Sequence, residues 1–501
     1  MTRRINRRQA LAELGLGTAA LLLAGCGATH PSPAASGSTL AATWSDPTGD
    51  GTLTPGPGAA LIDRTDLAPR SALGLELARI AHLTDAHILD AQSPARVTFL
   101  RRLGPPFNST FRPQEALTGQ VLNGAIKALN DFAPDAVIQG GDLIDNAQAN
   151  ELRQALNILQ GGRILRASGN GPYVGVQEAA DPDPFYYRPA IDAPLHPGLL
   201  SAALRPFHSP GLRAAVHPVL GDHDILVAGA IPPTPTTQAI ATGNRAVWDL
   251  PTQLSIPSVH AAAASPDAIQ APTQINELID ELLTVPGVTV PADPRRRELS
   301  ATEALADLHA PPGTPLLDYH FDVGPHLRVI VLDLVRRGGG SDGIVHPTQP
   351  AWLAAQLAAA DDRWVIVVSH QPLDTTTEGA PALLTLLDHH PRTLAALYGH
   401  IHRNHITPRQ APNGGYWLIA TASLIDYPQQ ARALRVRATA DGGVALETWM
   451  LDNVPDDEGI GDISRALAYI DAQGGRPQGF SGTPLDRNVT LYRKAASAEA
   501  G

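Results

Sequence analysis

The sequence predicts an α/β fold built around parallel strands, and three observations lead to this prediction. Five short apolar runs, each about as long as a buried strand, recur along the chain. Helical patterns lie between several of them, for example at 113–132 and 349–360, as parallel strands require. Each run also ends in a cluster of Asp, His and Gly. Because ligand sites in such sheets lie beyond the carboxyl ends of the strands, the five clusters are expected to meet.

Composition and charge limit the classes of function. The chain has 501 residues, of which 43% are hydrophobic, which is enough for two to four domains and a sizeable core. Its formal net charge is −12, and its only lysines are Lys127 and Lys494. Nucleic-acid backbones attract clustered Lys and Arg, so this composition argues against general nucleic-acid binding.

Residues 1–25 are predicted to be an export signal. Arg7 and Arg8 precede an apolar run at about 14–23 that is too short to span a bilayer comfortably. The paired arginines resemble a twin-arginine signal, and the segment ending in Cys26 resembles a lipobox that would make Cys26 the lipidation site. An ordinary cleaved signal is the alternative. The expected location is the cell envelope, with a lipid anchor on the outer face of the cytoplasmic membrane, or otherwise secretion.

The remaining chain divides by composition. A flexible tether is expected over 26–77, and its later part, near Leu61 and Leu67, could dock on the body. A catalytic body is expected over 78–455, and a helix and tail over 456–501. Two inserts interrupt the body at about 161–212 and 228–315, and they could cover the site as lids or pack on the outside. The second insert contains a predicted amphipathic helix with one apolar face, formed by Ile275, Leu278, Ile279, Leu282 and Leu283.

The polar clusters follow the apolar runs at 79–84, 136–139, 216–220, 364–369 and 394–398. In chain order they contain Asp85 and His87, Asp142 and Asp145, Asp222 to Asp224, His370, and His400 and His402. Burying so many carboxylates and imidazoles together is costly unless cations compensate them. The clusters therefore indicate a metal site with oxygen and nitrogen ligands and no sulfur.

In this order the clusters resemble the motifs of the calcineurin-like metallophosphoesterase superfamily. The shared pattern is Asp-x-His, Gly-Asp-x-x-Asp, Gly-Asn/Asp-His-Asp/Glu, a His after a strand, and Gly-His-x-His. The resemblance covers roughly residues 78–450. The chain looks like a member of a twin-arginine-exported bacterial branch in which long inserts separate the shared motifs. It implies a four-layer α/β/β/α sandwich of two mixed sheets flanked by helices, and metal-dependent hydrolysis of a phosphoester substrate.

The resemblance also implies two metal ions that share one carboxylate. The first metal would be bound by Asp85, His87, Asp142 and His402, and the second by Asp142, Asp222, His370 and His400. His223 would contact the phosphate and protonate the leaving alkoxide, with Asp145 orienting its imidazole. Carboxylate and imidazole ligands suit manganese, iron and zinc, as divalent or trivalent ions, and leave the metal's identity open.

Asp222 departs from the commonest form of the motif. Many members carry Asn at this position, so the second site gains a negative charge that would favour a harder or more highly charged cation.

Three alternatives on function stay open at this point. Phosphomonoesters and phosphodiesters are equally compatible with the motifs. A non-catalytic surface lipoprotein that uses the metal-stabilised sandwich as a binding platform is a second class of function. An enzyme of the same fold that hydrolyses another bond, such as a thioester or a sulfate, is a third.

Overall fold

The computed structural model describes residues 35–103, 110–166, 168–169, 171–178, 180–181, 183–249, 277, 279–280, 286–311, 313–474 and 479–494. The predicted export signal, Cys26 and most of the helix predicted at 275–283 lie outside these residues. No helix in the described part of the chain is both long enough and apolar enough to cross a membrane.

The larger sheet has seven strands and takes its members from both ends of the described chain. Its spatial order is β3, β21, β20, β19, β4, β5, β8. The strands β4, β5 and β8 run parallel to one another, whereas β19, β20 and β21 continue the sheet in antiparallel fashion. Their bounds are β3 Ile62–Arg64, β4 Leu73–Leu83, β5 Ala136–Gln139, β8 Ala215–Pro218, β19 Gln430–Thr439, β20 Val444–Asp452 and β21 Val489–Arg493.

The smaller main sheet has six strands in the order β11, β12, β14, β16, β18, β17. Its four central strands are parallel, and an antiparallel strand closes each edge. The bounds are β11 Tyr319–Val323, β12 Leu327–Leu332, β14 Trp364–Ser369, β16 Thr393–Tyr398, β17 His405–Arg409 and β18 Tyr416–Ala420.

Four two-stranded ribbons complete the strands of the described residues. They are β1 Ala42–Ser45 with β2 Thr54–Pro57, β6 Gly162–Ile164 with β7 Phe207–Ser209, β9 Arg245–Ala246 with β10 Val288–Thr289, and β13 Gly343–Ile344 with β15 Thr377–Glu378.

Helices cover the outer faces of the two sheets and occupy parts of the inserts. Their bounds are α1 Thr118–Phe132, α2 Ala149–Gln160, α3 Leu199–Leu204, α4 Pro235–Thr242, α5 Ala301–Asp307, α6 Gln349–Ala358, α7 Ala380–His389 and α8 Ile460–Gly474. The predicted helix at 113–132 begins later, at Thr118, because a short 3-10 turn at Glu115–Leu117 precedes it.

Along each central strand, residues that face the core between the two sheets alternate with residues that face the outer helices. In β12, Val329 and Val331 join the core between the two sheets, whereas Ile330 and Leu332 pack beneath α6 and α7. In β4, Ile80 faces the other sheet and Ala81 packs toward α1 and α2. Because neighbouring residues of a strand point to opposite faces, each sheet buries both of its faces. The predicted four-layer α/β/β/α sandwich of two mixed sheets is confirmed.

Residues 35–77 are folded and not a flexible tether, although the expected docking near Leu61 and Leu67 is observed, since both residues pack against core clusters. Within residues 35–77, β1 and β2 form a hairpin, and β3 pairs in parallel with β21 at the edge of the seven-stranded sheet. Ser38 also bridges to Leu451. The prolines and glycines of this segment lie both in turns and in β2 itself, so the folded body begins well before residue 78.

The predicted C-terminal tail also contains a sheet strand. β21 lies between β3 and β20, and its Val489 and Leu491 are fully buried in the core between the sheets. Residues 456–501 are therefore more than a helix and a tail, because they supply an interior strand of the larger sheet.

Buried polar contacts fasten the two inserts to the body. Arg296 of the second insert is fully buried, with its Nε 2.9 Å from Asp90 and one of its terminal nitrogens 2.9 Å from the Ser168 hydroxyl of the first insert. The Asp293 carboxylate accepts a hydrogen bond from the backbone N–H of Gly169. These contacts fix residues 293–296 of the second insert against the first insert and the body.

Candidate metal centre

The carboxyl ends of five parallel strands meet at one edge of the sandwich. Asp85 and His87 follow β4, Asp142 follows β5, and Asp222 and His223 follow β8, three adjacent strands of the larger sheet. His370 follows β14, and His400 and His402 follow β16, which is its neighbour in the smaller sheet. The structure therefore brings all seven predicted metal ligands and His223 together, as the strand-end argument requires.

Backbone strain is concentrated at this edge. Five of the seven predicted ligands adopt left-handed backbone conformations, with φ values of 53° for Asp85, 43° for His87, 48° for Asp142, 63° for His400 and 54° for His402. Non-glycine residues rarely adopt such angles, and such residues concentrate at functional sites where the surrounding structure imposes them. At one of these turns the buried Asp224 carboxylate accepts hydrogen bonds from the N–H groups of Ile144 and Gly221, which joins two of the ligand-bearing loops.

The first predicted ligand group is compact. His402 Nε2 lies 3.2 Å from Asp85 Oδ1 and 3.3 Å from His87 Nε2. His87 Nε2 is in turn 3.6 Å from Asp142 Oδ2. Each of Asp85, His87 and His402 offers one ligand atom within 4.8 Å of the others. These four side chains can surround one cation.

The second predicted group shares Asp142 with the first. His370 Nε2 lies 3.1 Å from Asp142 Oδ2 and 3.3 Å from Asp222 Oδ1, and His400 Nδ1 is also 3.3 Å from Asp222 Oδ1. The ligand atoms of Asp142, Asp222, His370 and His400 all lie within 4.8 Å of one another. Asp142 Oδ2 therefore lies between the two groups, where a bridging carboxylate oxygen is needed.

The outer ring nitrogens of three histidines are paired with oxygen atoms, which aims the inner nitrogens at the cluster. His87 Nδ1 lies 3.0 Å from Asp145 Oδ1, His402 Nδ1 lies 2.6 Å from Asp426 Oδ2, and His370 Nδ1 lies 2.8 Å from the carbonyl oxygen of Gly140. An Nδ1–H donated to an oxygen leaves the neutral ring with an Nε2 lone pair.

The inner nitrogens of His370 and His402 point at carboxylate oxygens, whose charge is compensated either by a proton on the ring or by a bound cation. His370 Nε2 is buried and has no hydrogen-bond partner among the residues that the structure describes, although Asp142 Oδ2 is 3.1 Å away. Asp85, Asp142 and Asp222 are all buried as well. An oxygen and nitrogen donor set of this kind fits manganese, iron or zinc, so the residues present suit the predicted metal ions.

The electrostatics of the cluster follow from burial and from its carboxylates. Burial lowers the pKa of His87, which keeps the ring neutral and able to bind a cation. At His402 burial acts in the same direction, but Asp85 and Asp426 outweigh it and raise the pKa to about 9. Burial would raise the pKa of Asp222, yet His400 and His370 hold it well below its usual range. The neighbouring histidines likewise outweigh burial at Asp85 and lower its pKa, so Asp85 and Asp222 are the fixed anions of the site.

His223 lies at the rim of the first ligand group. Its ring packs edge-on against His87 with 4.6 Å between the ring centroids, and one-fifth of its side chain is exposed. Its backbone N–H donates to Asp142 Oδ1 at 2.9 Å. His223 can therefore reach both the cluster and a molecule that enters from solvent.

The predicted role of the Asp145 carboxylate is corrected by the structure. His223 Nδ1 is 2.6 Å from the backbone carbonyl oxygen of Asp145 but 3.9 Å from its carboxylate. The carboxylate instead lies between His87 Nδ1 and Arg96, at 3.0 Å from each. Asp145 orients His223 through its main chain, whereas its side chain orients a predicted metal ligand.

Three further side chains contact residues of the predicted site and were not identified from the sequence. Asp426 follows β18, so the strand-end argument could have found it as the partner of His402. Gln371 Nε2 donates to Asp222 Oδ1 at 3.1 Å and directly follows His370. Arg96, which binds Asp145, lies in the connection between β4 and α1, beyond the motif formed by Asp85 and His87, and the sequence around it matches no motif.

The second insert begins against His223. Ala228 and Gly229 have φ values of 49° and 68°, and the N–H of Ala228 donates to Asn146 Oδ1 at 2.6 Å. A Cβ atom on Gly229 would lie 2.4 Å from His223 Nε2. Glycine at this position leaves room for the reactive edge of the imidazole.

Several solved structures resemble this chain. A dimetal phosphatase from Danio rerio matches with 14% sequence identity and a TM-score of 0.38, over 76% of this chain and 98% of that chain. A structure of PhoD matches with 12% identity and a TM-score of 0.28, over 85% and 81% of the two chains. The NAD nucleotidase NadN of Haemophilus influenzae matches with 12% identity and a TM-score of 0.26, over 82% and 58%.

No protein-family model matches the chain, and no curated protein matches it. The architecture and the strand-end cluster are nevertheless those that the resemblance to the calcineurin-like metallophosphoesterases implied, so the class of fold is confirmed. The function proposed next rests on the residues of this chain and their geometry.

Proposed function

We propose that this protein is a dinuclear metal-dependent phosphoester hydrolase. The observation that carries the proposal is the position of Asp142 Oδ2, which lies 3.6 Å from His87 Nε2 of one ligand group and 3.1 Å from His370 Nε2 of the other. Two groups of oxygen and nitrogen donors that share one carboxylate are suited to two cations. When bound, such a pair of cations activates water and stabilises the attacking and leaving oxygens of an in-line displacement at phosphorus.

The ligand side chains are oriented before any substrate arrives. Asp145, Asp426 and the Gly140 carbonyl fix the rings of His87, His402 and His370, so each ring presents its inner nitrogen to the cluster. Burial excludes water from these contacts and strengthens every electrostatic interaction among them.

His223 supplies the proton for the leaving group in this proposal. Its Nδ1 is paired with the Asp145 carbonyl, and its Nε2 faces the space that Gly229 leaves open. A protonated imidazole in that place can donate Nε2–H to a phosphoryl oxygen and then to the departing alkoxide.

Export and anchoring are a separate part of the proposal. The arginine pair and the segment ending in Cys26 support a lipid-anchored protein on the outer face of the cytoplasmic membrane. The test is fractionation of cells that express the chain or its Cys26→Ser variant. Wild-type protein in the membrane fraction and variant protein in the soluble fraction would support the anchor, and no change in distribution would contradict it.

The catalytic proposal is tested by hydrolysis of p-nitrophenyl phosphate and bis-p-nitrophenyl phosphate with Mn²⁺, Fe²⁺ or Zn²⁺. We expect turnover of at least one ester, and the ratio of the two rates distinguishes monoesterase from diesterase activity. Thioester and sulfate-ester substrates in the same assay test the alternative that the fold acts on another bond.

Two variants separate metal binding from proton donation. His223→Ala should bind the same amount of metal as wild type while kcat falls by about 10²–10⁴-fold, because only the acid is removed. Asp142→Asn should lose bound metal as well as turnover. Metal binding without turnover of any tested ester would favour the binding-platform alternative, and absence of metal binding by the wild-type chain would overturn the proposal.

A further inference from the structure

The connection between β4 and α1 holds a chain of buried charged side chains beside the first ligand group. It includes Arg96, Arg112 and Glu115, which lie outside both predicted inserts and outside every motif. Their side chains are 7%, 3% and 1% exposed, respectively. Charged groups buried to this degree need compensating partners, and here those partners lead to two predicted metal ligands.

One end of the chain of contacts begins at His87. Its Nδ1 is 3.0 Å from Asp145 Oδ1, and Asp145 Oδ2 accepts a hydrogen bond from Arg96 Nη1 at 3.0 Å. Arg96 Nη2 then donates to Glu115 Oε2 at 2.8 Å. The orientation of the His87 ring is thus linked to Glu115 through two ion pairs.

The other end begins at His402. Its Nδ1 is 2.6 Å from Asp426 Oδ2, and Asp426 receives two contacts from the Arg112 guanidinium, at 2.8 Å and 3.2 Å. The backbone N–H of Arg112 donates to Glu115 Oε2 at 3.0 Å. Glu115 therefore contacts both halves, and the contacts close at the cluster, where His87 Nε2 and His402 Nε2 are 3.3 Å apart.

We propose that Arg96, Glu115 and Arg112 form a positioning bridge that sets the geometry of the two histidines of the first metal site and thereby its affinity. The inference rests on the proposed dinuclear site. It assigns the bridge to one site only, because the outer nitrogen Nδ1 of His370 in the second site faces the carbonyl oxygen of Gly140 and not a carboxylate. The two sites differ in how their ligands are supported, so damage to the bridge should affect them unequally.

The test is Mn²⁺ binding by the full chain, freed of metal by a chelator and followed by isothermal titration calorimetry and elemental analysis. In Glu115→Gln, which keeps the side-chain volume, the affinity of one site should fall by about 10–100-fold while the other keeps its wild-type value. Arg112→Lys keeps the cation but loses the two-point contact with Asp426, and it should give the same one-site loss.

Glu298→Gln is the matched control. Glu298 is a buried carboxylate that hydrogen-bonds to Thr237 in the second insert, and this variant should bind two Mn²⁺ ions with wild-type affinities. Thermal unfolding of the metal-free variants measures any general loss of stability. If Glu115→Gln fails to fold, Arg112→Lys decides the question.

The possible results separate failure of the positioning bridge from failure of the proposed function. A wild-type chain without two Mn²⁺ sites would overturn the dinuclear proposal and this inference with it. Two wild-type sites that remain unchanged in both bridge variants, or that weaken equally, would overturn the positioning role alone. Loss at one site in both variants, with the control unchanged, supports it.

Discussion

Asp222 carries a negative charge at a position where many calcineurin-like metallophosphoesterases carry a neutral asparagine. Its Oδ1 lies 3.3 Å from His370 Nε2, 3.3 Å from His400 Nδ1 and 3.1 Å from Gln371 Nε2. The Gln371 amide donates to the oxygen that faces both histidines, so it holds that oxygen in place without neutralising it. The second ligand group therefore carries a full carboxylate in addition to the shared Asp142.

Asp222→Asn tests what this charge contributes. Asparagine keeps an oxygen donor but removes the charge, and ligand charge is one determinant of cation affinity. We expect the affinity for Mn²⁺ to fall about tenfold at one of two sites. At saturating Mn²⁺, ester hydrolysis should persist. Calorimetric titration measures the affinities, and unchanged values at both sites would contradict the assignment of Asp222 to a metal.

The motif predicts that Asp145 contacts His223, but it does not specify which oxygen of Asp145 makes the contact. The sequence places Asp145 three residues after Asp142, and the resemblance implied that its carboxylate orients His223. In the structure the backbone carbonyl performs that task, and the carboxylate binds His87 and Arg96. Sequence spacing places the residue near His223, but the backbone and side-chain torsion angles decide whether its main-chain or its side-chain oxygen makes the contact, and spacing does not specify these angles.

At the scale of the element, the turns after the strands are packed too closely for a Cβ atom. Gly221 ends the connection after β8, and a Cβ at this position would lie 2.1 Å from the backbone nitrogen of Asp142 and 2.2 Å from its Oδ1. The close approach of two strand-end loops thus requires glycine at the point where they carry the shared ligand.

Gly221→Ala should therefore disturb the shared carboxylate. The added methyl group must displace Asp142, with an overpacking cost of about 1–3 kcal/mol in unfolding free energy and weaker Mn²⁺ binding at both sites. Gly338→Ala is the control, because a Cβ there meets no atom of the described part of the chain within 4 Å. Thermal unfolding and Mn²⁺ titration of the two variants make the comparison, and equal behaviour of both would argue against the crowding.

Much of the element layout follows from the sequence, with two informative failures. The strands before the five motifs are short apolar runs, and the runs at 136–139 and 364–369 match β5 and β14 in both bounds. By contrast, β3 was not predicted, because it lies in a segment whose composition is typical of a linker. Its partner β21 is more than 400 residues away in sequence, so no local pattern indicates the pairing. β21 itself has a readable alternating pattern, in which Val489 and Leu491 face the core.

The interior position of β21 predicts the effect of truncation. Removal of residues 487–501 deletes a strand that pairs with both β3 and β20, so the truncated chain should lose cooperative unfolding or unfold at a much lower temperature. Removal of 495–501 alone leaves all of these pairs and should change the unfolding temperature little. Scanning calorimetry compares the two truncations, and equal stability would show that β21 contributes little to the sheet.

The site lies where both sheets end, so the buried negative charge of its carboxylates affects the stability of the whole sandwich. Asp85, Asp142 and Asp222 are buried at the junction of the two sheets, and β4, β5 and β8 carry them. Uncompensated carboxylates at that junction oppose folding, whereas cations that bind only the folded chain favour it.

Metal removal should consequently lower the unfolding temperature. At a free metal concentration 100 times the Kd, one bound ion stabilises the folded chain by about 2.7 kcal/mol. Addition of Mn²⁺ to the chelator-treated protein should raise the unfolding temperature with concentration, and Asp142→Asn should respond much less. An unfolding temperature independent of Mn²⁺ would mean that folding does not depend on occupation of the cluster.

The most direct test of the central claim is an anomalous-scattering crystal structure of the full chain grown with Mn²⁺. We expect two metal peaks in the strand-end cluster. Asp85, His87 and His402 would bind one ion, and Asp222, His370 and His400 would bind the other. Asp142 would contact both ions. A single peak, or none among these side chains at saturating Mn²⁺, would contradict the dinuclear site on which the proposed hydrolase activity depends.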